Sequence, residues 1–198
     1  MQIYAILSLK GGVAKTTTAL HLATCAAAQG KRVVVIDSDE ERSAVRWASF
    51  VTDAMPFQVV AGERDRLAQQ ARALAQEGVV VIIDTPPNNR EILTRAGMVA
   101  TSVIVPVVPT GLDIDRMKPT LELLRDVEAT KGNLDVAILL TRWDGRTVLA
   151  HEAEEALKDY PVLDSRIRHL TRYAQAFGTI PSYLEEYESA WKEISNGN

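Results

Sequence analysis

At 198 residues, with 46% apolar and 24% charged side chains, the chain has the make-up of a soluble globular domain, and nothing in its length asks for a second core. A net charge of −4 excludes a surface that is basic throughout, so any contact with nucleic acid must come from a local patch. The one cysteine, Cys25, excludes an internal disulfide or a cysteine-only metal site, and its setting in Ala23 to Ala28 marks it as a buried helix residue.

In chain order, the first apolar run covers residues 3–9 and predicts a strand. A glycine-rich stretch follows, then a helical segment at 17–29 that Gly30 closes. Further strands are expected at 32–36, 57–61, 79–83, 102–108 and 136–140. Most of these runs are continuous rather than alternating and are rich in Val and Ile, which marks strands buried on both faces. Helices are expected at 64–76 and at 119–130, where Pro119 suits a first turn. The last third is less regular, with a helix at 147–159, a short strand at 161–163 and a final helix at 182–194. This alternation argues for an α/β fold, a doubly wound, mostly parallel sheet with helices on both faces, with residues 1–198 forming a single domain. No basic region precedes residues 3–7 and no apolar run approaches a membrane span, so a cytoplasmic protein is expected.

The strongest chemical signal is Lys10-Gly11-Gly12-Val13-Ala14-Lys15-Thr16-Thr17, set between a strand and a helix. Glycines let the backbone turn tightly so that its N–H groups face phosphate oxygens, and the helix N-terminus adds unpaired donors. Lys15 is placed to reach the β- and γ-phosphates of ATP, and the Thr16 hydroxyl to ligate Mg²⁺. The standard G-x-x-x-x-G-K-[ST] pattern is not met, because Leu9 and Ala14 occupy the glycine positions. The segment fits K-G-G-x-x-K-[ST] instead. In this it resembles the deviant Walker A loop of the ParA/MinD family of P-loop ATPases. That resemblance implies an ATP-dependent homodimer in which Lys10 crosses to the partner's nucleotide, as an arginine finger does.

Two further segments extend the resemblance, which covers residues 1–145 and thins beyond. Asp37-Ser38-Asp39 ends a strand, where open α/β sheets bind ligands. With Ser43 and Trp47 it is similar to the family's D-x-D-P-Q-x-S-x-x-x-W switch. The likeness implies that Asp39 activates the attacking water and that Asp37 helps organise the Mg²⁺ shell. Glu40 and Glu41 depart from the usual proline and glutamine. Val79 to Ile83 followed by Asp84 has the Walker B form, with Asp84 holding Mg²⁺ through a water, and Thr85-Pro86-Pro87 is similar to the second switch. Val105 to Asp113 resembles the P-x-x-P-[ST]-x-x-D stretch of short partition ATPases, although a strand end broken by prolines reads equally well. Thr141-Arg142 ends a strand where the family often frames adenine.

The family's tasks differ in their anchoring surface. The tail carries Glu185, Glu186, Glu188 and Glu193 opposite Leu184, Tyr187, Trp191 and Ile194. Anionic lipid repels such an acidic face, so no membrane contact is expected and the tail reads as a docked helix. Arg166, Arg168 and Arg172 form the candidate patch for non-specific double-stranded DNA; an ordinary solvated face is the alternative. The resemblance implies a ParA-type partition ATPase, nucleoid-associated when ATP-bound and stimulated by a ParB-like or small DNA-binding adaptor. The alternative is an ATP-switched adaptor that positions other cargo without using DNA.

Overall fold

The computed structural model describes residues 1–196. Seven strands form one sheet in the order β3-β2-β4-β1-β5-β6-β7, and every neighbouring pair is parallel. They are β1 (Gln2–Ile6), β2 (Val33–Asp37), β3 (Gln58–Ala61), β4 (Val80–Asp84), β5 (Ser102–Val107), β6 (Asp135–Trp143) and β7 (Val162–Arg168). The continuous apolar runs are the central strands: β2, β4 and β5 are buried throughout, whereas the edge strand β3 is exposed at both ends.

Alternation along each strand divides the core in two. Ile3, Ala5, Val34, Ile36, Val81 and Ile83 face one layer, built from α3 (Leu67–Gln76), α4 (Arg90–Val99), α5 (Gly111–Lys131) and α6 (Val148–Leu157). Tyr4, Ile6, Val33, Val35 and Ile82 face the other, built from α1 (Lys15–Ala28), α2 (Ser43–Phe50), α7 (Thr171–Gln175) and α8 (Glu185–Asn196). A parallel sheet needs such crossovers, because its strands cannot be joined by tight turns. The sheet is therefore doubly wound, as expected. The tail also docks: Tyr187, Trp191 and Ile194 of α8 are buried against α1 and β7.

Three expectations are corrected. Pro119 does not open a helix; α5 starts at Gly111, with the Thr110 hydroxyl accepting the Asp113 N–H, and Pro119 lies inside it. The short strand expected at 161–163 runs from Val162 to Arg168, so Arg166 and Arg168 lie on it. The polar sequence of that strand hides it, since an edge strand is covered on one side only. The final helix begins at Glu185 rather than 182. No helix among the described residues is long and apolar enough to cross a membrane.

Candidate nucleotide-binding site

The C-terminal ends of β1, β2 and β4 converge beside the N-terminus of α1. β1 pairs with β4 through Ile6 and Asp84, and β4 pairs with β2 through Asp84 and Asp37, which places the three strand ends in register. The loop from Lys10 to Ala14 leaves β1 and enters α1 at Lys15. Gly12 takes a φ of 76° and Ala14 a φ of 68°, both left-handed. Ala14 thus adopts a conformation that glycine adopts without strain. The N–H groups of the first turn of α1 have no partner inside the helix. The Thr141 hydroxyl, at the end of β6, ties the loop down by donating to the Val13 carbonyl at 3.3 Å.

Lys15 is buried, with 7% of its surface exposed, and its Nζ donates to the Lys10 carbonyl at 3.0 Å. Burial pushes its pKa down, while the charges of Asp84 and Asp39 act to hold the proton on. Asp84 is 1% exposed, and neither carboxylate oxygen has a hydrogen-bond partner among the described residues. Burial pushes its pKa up to about 7, against the opposing influence of the nearby Thr16 hydroxyl and Lys15 charge. A buried carboxylate without a partner is costly. A cation with its water shell would satisfy it, so Asp84 and the hydroxyl of Thr16 fit Mg²⁺. No cluster of three or more His, Cys, Asp or Glu among the described residues could cage a metal alone. Mg²⁺ is usually held by one or two carboxylates plus phosphates and waters.

Asp37 is bound through both of its oxygens. Its Oδ1 accepts the Asp39 N–H at 3.1 Å and its Oδ2 accepts the Val45 N–H at 3.0 Å, so it fastens the loop that enters α2. Burial raises its pKa, and these backbone bonds work against the rise. Asp39 is half-buried at the same mouth, its Oδ1 accepting the Glu41 N–H at 3.0 Å. Arg42, with a φ of 52°, donates to the carbonyls of Asp37 and Gly62. Gly62 has to stay bare there: a Cβ would lie 3.0 Å from Ile36 Cγ2 and 3.1 Å from the Asp37 carbonyl. Glu40 points into solvent, 3.9 Å from Arg64. The segment after Asp84 returns to the loop, where the Asn88 N–H donates to the Leu9 carbonyl at 3.0 Å.

Lys10 stands at the rim, partly exposed. Its Nζ lies 3.1 Å from Asp113 Oδ1, on the first turn of α5. The Val105–Asp113 stretch therefore meets the loop directly. Two turns further along α5, the Thr120 hydroxyl accepts the Leu9 N–H at 3.1 Å. The sequence reading missed this double grip, because 111 residues separate Leu9 from Thr120.

On the other side of α1, a cavity of about 460 Å³ opens beside Ala14 and Thr17, walled by Thr141, Arg142 and the segment Ile167 to Ala174. The end of β7 and the segment after it, which supply the rest of the wall, carried no signal in the sequence. Of the three candidate DNA arginines, Arg168 lines this cavity and is held by Glu186, Glu185 and the Tyr183 hydroxyl. Arg166 lies 3.5 Å from Glu154 and over the Trp143 ring. Arg172 is exposed and stacks 4.0 Å above the Tyr183 ring. The structure does not bring the three together as free cations.

The sheet order, the strand-loop-helix at its centre and the acidic strand ends beside it define a P-loop nucleotide-binding fold. A family model described as the CobQ/CobB/MinD/ParA nucleotide binding domain matches residues 4–179, and the chain belongs to that family, as a ParA/MinD-family ATPase. It is 32% identical over 179 residues to the maintenance of carboxysome distribution protein A of Gloeobacter kilaueensis, covering 88% of this chain and 80% of that one. It is 29% identical over 185 residues to the chromosome-partitioning ATPase Soj of Thermus thermophilus, covering 78% and 74%. A plasmid partition protein of Borrelia burgdorferi, solved with AMPPNP, shares the fold at a TM-score of 0.79 and 17% identity, over 99% of this chain and 98% of that one.

Proposed function

We propose that the chain hydrolyses Mg-ATP as a switched homodimer and uses the switch to partition DNA. The observation that carries the chemistry is the buried pair at the loop: Lys15 desolvated, and Asp84 with two oxygens lacking any partner among the described residues. Residues Lys10 to Thr17 cradle the phosphates, and Thr16 with Asp84, the latter through a water, holds Mg²⁺. When bound, the metal neutralises charge on the β- and γ-phosphates. Asp37 acts by holding the loop that carries Asp39, and Asp39 accepts a proton from the attacking water. Lys10, released from Asp113, reaches the nucleotide of the facing protomer. Intrinsic turnover is slow until a ParB-like or small DNA-binding adaptor completes the site.

The test is double-stranded DNA binding at fixed salt with ATP, ADP or no nucleotide, for the wild type and Asp39→Ala. Binding only with ATP, prolonged in the variant, supports partition. ATP-driven dimerisation with no DNA binding supports the second reading, an adaptor that positions other cargo. The similarity to a protein named for carboxysome distribution favours that reading.

A further inference from the structure

The loop that carries Asp39 is held at one end by the sheet and at the other by α2. At the sheet end, the Ser38 N–H and hydroxyl both donate to the Asp84 carbonyl, at 2.9 and 2.7 Å. The other end rests on few contacts. α2 is eight residues long, too short to hold its shape without tertiary support. Asp37 takes the Val45 N–H in its first turn, and of its eight residues only Ala44 and Trp47 are buried. Trp47 is thus the one large side chain that anchors the helix.

Trp47 reaches a turn 132 residues away, where its Nε1–H donates to the Thr179 carbonyl at 2.7 Å. Its ring packs against Phe177, with 5.6 Å between centroids, and Phe177 packs at the same distance on Phe50, the last residue of α2. Phe50 and Phe177 stay exposed themselves, so they serve as a cover over the tryptophan rather than as core. Between Phe177 and Thr179, Gly178 has a φ of 77°, and a Cβ there would lie 3.0 Å from Phe50 Cβ. The turn therefore grips α2 at two residues, Trp47 and Phe50. Any apolar side chain would supply the burial. The indole N–H adds direction, because a hydrogen bond weakens when it is not aimed, and so it fixes the rotation of α2. Arg42, which enters α2, donates its N–H to the Asp39 carbonyl at 3.1 Å, so a shift of the helix carries Asp39 with it.

We propose that Trp47 is a positioning residue for ATP hydrolysis: its bond to the Thr179 carbonyl and its seat against Phe177 set the place of α2, and through it the place of the Asp39 carboxylate. This rests on the reading of Asp39 as the group that accepts the proton of the attacking water. Trp47 touches neither nucleotide loop nor metal site. It acts through the loop, and a misplacement of about 1 Å at a reacting group costs a large part of a rate.

The test is Trp47→Phe, which keeps an aromatic ring and removes the N–H. Phosphate release from Mg-ATP is expected to show kcat lowered by about tenfold or more, with KM within about twofold because Lys10 to Thr17 are untouched. In an Asp39→Ala background the same substitution is expected to change the residual rate little, since the group it positions is gone. Gly178→Ala, which pushes on Phe50, is expected to lower kcat in the same way. Hydrogen exchange followed by mass spectrometry supplies a readout apart from activity: the amides of Asp39, Arg42 and Val45 should exchange faster in Trp47→Phe than in the wild type. Unchanged kcat with unchanged exchange overturns the proposal. So does an equal fall in kcat with and without Asp39, or a rise in KM that matches the fall, since Trp47 would then be general packing. A wild type that does not turn over Mg-ATP, or whose turnover survives Asp39→Ala, removes the underlying reading instead, and the exchange rates still decide whether Trp47 holds the loop.

Discussion

Two charged regions of this molecule invite the same reading from sequence and receive opposite treatment in the fold. At the ends of β1, β2 and β4, Lys15, Asp37 and Asp84 are buried, and Asp84 has no partner among the described residues. On β7 and α7, Arg166, Arg168 and Arg172 are met by Glu154, by Glu185 and Glu186, and by the Tyr183 ring. Burying a charge without satisfying it is destabilising, so a fold tolerates it only where something outside the chain repays it. Exposed charges with local partners carry no such information. The first region announces a ligand; the second announces a well-solvated edge that DNA must compete for.

The largest expected effects attack the first region. Lys15→Ala is expected to lower Mg-ATP turnover by roughly 10²–10³, the scale for removing one preorganised group that stabilises transition-state charge. Asp84→Asn should abolish the Mg²⁺ dependence of nucleotide binding yet raise the stability of the nucleotide-free chain, by about 1–3 kcal/mol, because an amide is cheaper to bury than an unpartnered carboxylate. Calorimetric melts in chelator, beside nucleotide titrations with and without Mg²⁺, check both halves. A variant that loses stability as well as binding would make Asp84 an ordinary structural residue and erase the contrast.

The second region is tested by loosening it. Glu186→Gln frees Arg168 of its main partner, so under the DNA reading affinity with ATP should rise. Arg168→Glu and Arg172→Glu should each weaken binding and flatten its salt dependence by about one unit of log–log slope. Affinities measured across a salt series decide it. Slopes that ignore all three substitutions would leave these arginines as an ordinary solvated edge of the sheet.

Much of this was legible in the sequence because the signals are local. The buried strands are runs of Val and Ile, and the loop lies within eight consecutive residues. What escaped is what only convergence creates. α2 starts at Ser43 after a loop held by Asp37, and its entry bond, Val45 N–H to Asp37, follows no sequence periodicity. The true start of α5 was masked by Pro119, a residue that usually announces a boundary and here lies within the helix. The cavity beside Ala14 and Thr17 draws its far wall from residues 167–174, the end of an edge strand whose polar second half is not legible as strand, and the segment after it.

A smaller effect joins the two regions through α1. His21 is buried beneath the loop, its Nδ1 2.7 Å from the Thr17 carbonyl, with its ring against Tyr173 and Tyr187 of the cavity side. Burial holds its pKa down to about 4, against an ordinary 6.5. The unfolded chain therefore takes up a proton before the folded one does. The neutral ring's contribution is complete above pH 6.5 and is lost as the pH falls from 6.5 to 4, by up to ~3 kcal/mol. In nucleotide-free protein, His21→Gln should remove that part of the acid sensitivity, read as a flatter stability-versus-pH curve between 4 and 6.5. An unchanged slope would assign the acid loss to other groups.

The smallest expected effect is at Ala14. The standard phosphate loop has glycine here, and this chain keeps the left-handed turn, at φ 68°, without the residue that makes it free. An L-residue in that region costs roughly 1–2 kcal/mol. Ala14→Gly relieves the strain but gives the unfolded chain more freedom to lose, and the two effects oppose each other. The net expectation is a gain of about 0.5–1 kcal/mol, seen as a small rise in melting temperature without ATP, with little change in ATP affinity because the loop's shape is already that of glycine. A loss of stability would mean that the alanine methyl supports the cavity wall it lines. The departure from the usual pattern would then serve the cavity beside the loop rather than merely being tolerated within it.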